Sequence, residues 1–400
     1  MKNSNKLLLL SALLALSMTA CATREPAQSS SSSEPVSTQS SEESSIPEPS
    51  SEPVSSSVVE SSEPEPASSS VVESSEPEPI IDNTVSVFVL SGQSNMEGST
   101  YWTHPTNNTP LLENYFEEEG MDFEPVSEGI DNVLTSYYGF YHPNGWTQAH
   151  TASPDKSTPE ARLTPNFQPT KVGMGVGDKG DNPNPFFGPE LGLAYNLSDY
   201  ADENNPIYLV KCAFSGSGFN NGNYSRNDPD WGSREDDPTQ SLFYLLKTYT
   251  HNCLEAIEEE GYTPVIKGFL WHQGESGGGN PDYETSMRAL LRDFKEEFED
   301  YAPYNDVDSM AFIDCTIYDG KGTSSLNYGT DTNDAKWRIA NESEDDLNFC
   351  IDASHDEGGL ALEIGDDSKG GFNTYHYNTK DAFILGQAYA NVIIDNDLLD

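Results

Sequence analysis

The chain has 400 residues and a formal charge of −47, with 35% hydrophobic residues. Such an acidic balance excludes binding to nucleic acid or to anionic lipid through the protein surface. It fits neutral or cationic partners, or simply a solvated exported surface.

Lys2 and Lys6 precede an apolar run from Leu7 to Leu16, and small residues lead to Cys21. A basic start, a short apolar stretch and a small-residue cleavage region make residues 1–20 a secretory signal, too short to span a bilayer. Cys21 after Thr19-Ala20 resembles the lipobox of bacterial lipoproteins, with Met18 where Leu is usual. That resemblance implies a diacylglyceryl group on Cys21; a plain secreted protein with a stray cysteine is the alternative. Residues 21–80 are mostly Ser, Glu, Pro and Val, and Ser55–Pro66 recurs unchanged as Ser68–Pro79. This composition cannot bury enough apolar surface to offset its ordering entropy, so a disordered, extended stalk is expected.

Residues 81–400 are expected to form one α/β domain. Val85, Val87, Phe88, Val89 and Leu90 form a β-branched apolar run that stops at Ser91-Gly92, ahead of Gln93-Ser94-Asn95-Met96. It reads as a buried strand delivering a hydroxyl to a sheet edge. Ser99–Pro185 reads as a long irregular insertion whose aromatics, among them Trp102, Tyr137, Tyr138, Tyr141 and Trp146, suit the walls of a site. A helix runs from Phe187-Gly188-Pro189-Glu190 to Leu197, with Pro in its first turn.

Strands are then predicted at Ile207–Cys212, Val265–Trp271, Met310–Ile317 and Phe349–Ile351. Helices are predicted at Leu242–Glu259, Tyr283–Phe298 and Ala382–Ile393. Alternation of this kind predicts a doubly wound, flavodoxin-like parallel sheet. Beyond Cys21 the cysteines are Cys212, Cys253, Cys315 and Cys350, whose spacing assigns no disulfide. No CxxC or His/Cys cluster suggests a metal, and no cofactor is implied.

Three polar segments follow or flank these elements: Ala213–Gly218, His272–Ser276 and Asn373–Thr379. Parallel strands bring their carboxyl ends to one edge, where open α/β folds place ligands. A serine, a glycine-rich turn, a carboxamide and a histidine at that edge are the parts of an acyl-transfer site.

The set GQSNM, K-x-A-x-x-G-S, WHQGES and HYNT with a following Leu-Gly resembles the SGNH hydrolase superfamily. Within it, the chain is similar to the sialate O-acetylesterase domain and to family 6 carbohydrate esterases. The resemblance spans Val85 to Ile393, and Phe187–Glu190 also fits. It implies Ser94 as nucleophile and His376 as general base. It also implies an oxyanion hole from Ser94 N–H, Gly216 N–H and the Gln273 side chain, where other SGNH enzymes have Asn. Removing one such donor typically costs ~10²–10³ in rate.

The departure is at the third triad position, where Asn373 stands in place of the usual Asp three residues before the histidine. In a serine protease triad that exchange costs ~10⁴ in kcat. Glu275, Asp366, Asp367 or a backbone carbonyl are candidate substitutes. Two decoys compete: Asp352-Ala353-Ser354-His355 is a literal Asp-x-x-His, and Gly274–Gly278 has the spacing of an α/β-hydrolase elbow. Neither is followed by the required helix. The expected activity is removal of O-acetyl groups from acetylated oligo- or polysaccharide, of sialate or xylan type, at the bacterial cell surface. The membrane would be met only through the lipid anchor. The alternative is a non-catalytic glycan-binding lipoprotein.

Overall fold

The structure is a computed structural model that describes residues 83–141, 150–176, 184–219, 229–277, 281–318, 330–342, 347–371 and 375–399. The signal, Cys21, the stalk, Trp146 and Asn373 lie outside the described residues.

In chain order the strands are β1 (Thr84–Gly92), β2 (Thr100–Tyr101), β3 (Ile130–Tyr141), β4 (His150–Thr151), β5 (Gln168–Thr170), β6 (Phe186–Phe187), β7 (Ile207–Ser215), β8 (Thr263–His272), β9 (Ala311–Cys315) and β10 (Asn348–Ile351). The helices are α1 (Ser94–Glu97), α2 (Leu111–Glu119), α3 (Glu124–Glu128), α4 (Glu190–Leu197), α5 (Leu242–Glu259), α6 (Tyr283–Glu297), α7 (Thr330–Asn341) and α8 (Thr379–Asp395).

The main sheet runs β10-β9-β8-β1-β7-β3-β4, with β5 also on β3. With β3 set aside, β7-β1-β8-β9-β10 is the order 2-1-3-4-5 along the chain, the flavodoxin-like arrangement. β1, lying between β7 and β8, is parallel to both. Its residues Val87 to Leu90 are fully buried, as the apolar run requires. Two cores flank the sheet. One holds Trp231, Trp271 and the inner face of α5; the other holds Phe88, Leu90 and the inner faces of α4 and α8. α4 and α8 approach closely at glycines: a Cβ on Gly192 would lie 2.0 Å from Phe383 O, and one on Gly386 2.0 Å from Pro189 O.

The region read as an irregular insertion is more structured than expected. It supplies β3, a 12-residue strand parallel to β7, and the nine-residue α2. β4 and β5 pair antiparallel with β3, so the sheet is mixed at that edge. Two aromatics expected as site walls serve other ends. Tyr138 is buried against Phe214 and Tyr249, and Trp102 donates its indole N–H to Asn184 O at 2.7 Å.

Elsewhere the helix expected from Phe187 starts at Glu190, the strand from Met310 spans only Ala311–Cys315, and the last helix is longer at both ends. Cys212, Cys253, Cys315 and Cys350 are free thiols. No helix among the described residues is long and apolar enough to cross a membrane.

Candidate active site

Ser94 opens α1 immediately beyond the carboxyl end of β1. The turn is tight because Gly92 has φ of 142°, and a Cβ there would meet His272 O at 2.1 Å. Only glycine lets β1 and β8 end this close together. Gln93 N–H then donates to His272 O at 2.9 Å, locking the nucleophile turn to the end of β8. As the first residue of α1, Ser94 has an amide that points free of the helix ladder. Gly216 follows β7 with φ of 77°. Ser94 and His376 are both nearly buried, 6% and 8% exposed.

Side chains of the first motif tie the other loops together. Gln93 Oε1 accepts from Ser276 N–H at 3.1 Å and from Gln273 Nε2 at 3.2 Å. Gln273 Nε2 also donates to Ser217 O at 3.0 Å. Both amide hydrogens of Gln273 are thus engaged, bridging the ends of β1, β7 and β8. To serve an oxyanion it must release one of them.

Asn95 performs the second bridge. Its Nδ2 donates to Glu275 Oε1 at 2.6 Å and to Tyr375 O at 3.3 Å, and its Oδ1 accepts from Tyr377 N–H at 3.3 Å. Asn95 therefore grips the residues on either side of His376 and joins them to a buried carboxylate. Glu275 Oε1 also lies 3.4 Å from His272 Nε2. Burial alone would raise the Glu275 carboxyl, but the adjoining His272 and the Asn95 hydrogen bond outweigh it and hold it at about 2.

The other acids are placed differently. The Asp366 carboxylate takes Ser368 and, at 3.3 Å, Lys369, and it is 38% exposed. The side chain of Asp367 lies outside the described residues. The decoys separate as well. His355 Nε2 pairs with Glu363 at 3.1 Å, and Ser276 sits in a three-residue 3₁₀ turn, Glu275–Gly277, rather than heading an α-helix.

Behind the site lies a network that the sequence did not announce. Glu97 Oε2 accepts from both the N–H (2.7 Å) and the hydroxyl of Ser215, the residue before Gly216. Its Oε1 lies 3.1 Å from His150 Nδ1, while Lys211 Nζ donates to Glu97 O and pairs with Glu190 at 2.9 Å. Among the described residues, no group of His, Cys, Asp and Glu could hold a metal ion.

A doubly wound sheet thus carries a serine just past the end of its central strand, with the glycine turn, the carboxamide loop and the His376 segment joined to it through Gln93, Gln273 and Asn95. The chain matches, over residues 84–395, the family model for carbohydrate esterase, sialic acid-specific acetylesterase. It belongs to that family and is an acetyl ester hydrolase.

Three solved structures are similar to this chain at low identity. A protein from Arabidopsis thaliana is 18% identical, with TM-score 0.45, covering 79% of this chain and 99% of its own. NanS is 13% identical, with TM-score 0.44, 79% of this chain and 98% of its own. A carbohydrate acetylesterase from Xanthomonas citri is 16% identical, with TM-score 0.42, covering 77% of this chain and 55% of its own. No curated protein matched the sequence.

Proposed function

We propose that the protein is a serine esterase that removes O-acetyl groups from carbohydrates, with Ser94 as nucleophile and His376 as general base. Ser94 Oγ attacks the acetyl carbonyl as His376 takes its proton. The amides of Ser94 and Gly216 hold the developing oxyanion, with Gln273 as a third donor once it turns. His376 returns the proton to the departing sugar oxygen, and water then releases acetate from the acyl-enzyme. Glu275 stands in for the triad Asp indirectly, by holding Asn95, whose bonds to Tyr375 O and Tyr377 N–H fix the main chain on either side of His376.

The observation that carries this reading is the double grip of Asn95 on the His376 segment and on Glu275. It joins the nucleophile turn, the carboxylate and the histidine into one unit. Lys2, Lys6, the Leu7–Leu16 run and Cys21 support a lipid-anchored location on a bacterial surface, with residues 21–80 as the stalk.

Acetate release from a panel of acetylated xylan, acetylated sialoglycans and other acetylated glycans tests the reading and assigns the ester. Ser94→Ala should abolish release while leaving the fold intact. Asn373 in the family's Asp position favours a second reading, a glycan-binding lipoprotein without catalysis. Glycan binding with no acetate release, unchanged by Ser94→Ala, would select it.

A further inference from the structure

Glu97 is a buried acid that the acyl-transfer steps do not use. It is 1% exposed and lies three residues beyond Ser94 on the same short helix. One carboxyl oxygen takes both donors of Ser215, the residue directly before Gly216. The other faces His150 Nδ1 at 3.1 Å and has no conventional hydrogen-bond partner if the acid is ionised. The fit is close: a Cβ on Gly139 of β3 would lie 2.9 Å from Glu97 Oε1.

We propose that Glu97 is a positioning residue: as a neutral carboxylic acid it latches the helix bearing Ser94 to the turn bearing Gly216. The inference rests on the reading of those two residues as nucleophile and oxyanion donor.

Charge counting supports the neutral form. The groups around Glu97 are Lys211, Cys212 and Ser215 of β7, His150 of β4, Tyr137 of β3 and, beyond Lys211, Glu190 of α4. Lys211 is the one cation of this buried set, and Glu190 Oε2 already pairs with it at 2.9 Å. A second buried carboxylate would be uncompensated, which the interior penalises heavily. His150 adds no charge, because burial and the nearby Lys211 hold its imidazole down to about 3.

A proton on Glu97 Oε1 donates to neutral His150 Nδ1 and leaves Oε2 as acceptor for Ser215. Both carboxyl oxygens of Glu97 are then partnered. Consistently, burial pushes the Glu97 carboxyl up to about 8, against the pull of the Ser215 bonds and Lys211. Ionisation in mild alkali places a charge in this cluster and loosens the latch. Glutamine reproduces the acid form, accepting from Ser215 and donating to His150.

The test compares wild type, Glu97→Gln and Glu97→Ala by kcat and KM on an acetate ester across pH from about 6 to about 9. Amide exchange of Ser215 is measured in parallel. Glu97→Ala should lower kcat about 10²-fold with KM within about twofold, and should speed Ser215 exchange by at least about tenfold. Glu97→Gln should restore most of kcat and remove the alkaline fall expected of wild type. Should Glu97→Ala not fold, Ser215→Ala removes one of the two donors and should give a partial fall in kcat at constant KM. Wild-type kcat and exchange in Glu97→Ala, or a Glu97→Gln enzyme as impaired as Glu97→Ala, would overturn the proposal. If wild type releases no acetate, the esterase reading fails, and Ser215 exchange still decides the latch.

Discussion

Replacing Glu275 by Gln separates a carboxylate that touches His376, the proposed general base, from one that acts through an intermediary. In the structure the carboxylate meets Asn95 at 2.6 Å and His272 at 3.4 Å, and its side chain is 12% exposed. Its carboxyl lies near 2 when folded, against an ordinary 4.5, a gap equivalent to about 3 kcal/mol. The folded value is the lower one, so the unfolded chain binds more protons in acid. The stabilisation is complete above pH 4.5 and is lost as pH falls towards 2.

Urea unfolding of Glu275→Gln at neutral pH should therefore show a loss of about 2–4 kcal/mol, narrowing as the pH approaches about 3. Glutamine still offers Asn95 an acceptor, so the tether to His376 survives without its charge. The expected fall in kcat is about 10–10²-fold, with KM unchanged. A fall of ~10⁴, the size seen when a triad carboxylate is neutralised, would refute the relayed arrangement. Unchanged stability would refute the buried pair with His272.

Asn373→Asp should leave kcat/KM level or lower it, because two acids would then serve one histidine unfavourably. A several-fold gain with Glu275→Gln unaffected would reverse that assignment. Ser276→Ala should keep activity within about threefold, since Gln93 meets the Ser276 amide and not its hydroxyl; loss comparable to Ser94→Ala would restore the elbow reading. Gly192→Ala places a methyl against Phe383 O across the α4–α8 contact. It should cost about 1–3 kcal/mol in chemical unfolding, with kcat on small esters little changed.

The elements that were legible are those whose burial is one-sided or complete. β1, β7 and β8 read directly as apolar runs, and α5 spans the expected Leu242–Glu259. β3 was not legible because it buries polar residues. Thr135 Oγ1 meets Thr170 Oγ1 at 2.7 Å and Ser136 Oγ meets Tyr249 OH at 2.7 Å, partners that no local pattern announces.

The site divides in the same way. Ser94, Gly216 and Gln273 stand out by residue type just past strand ends, and His376 just before the last helix. Asn95 and Glu97 looked like ordinary polar letters of a turn. Their importance lies in partners more than a hundred residues away, Ser215 for Glu97, and Glu275 and the His376 flanks for Asn95. Only the closed fold brings those together.

The Asn95 tether to Tyr375 spans 280 positions of sequence. A ribosome adding about 5–20 residues per second needs about a quarter of a minute to a minute to cover that distance. Throughout that interval the nascent chain carries its serine without the histidine segment. With His376 as the proposed base, translation products truncated before it should be inert, whatever portion of the sheet they have managed to assemble. On that proposal hydrolytic competence is acquired last, and hydrolysis of a small ester should report on completion of synthesis as well as on catalysis.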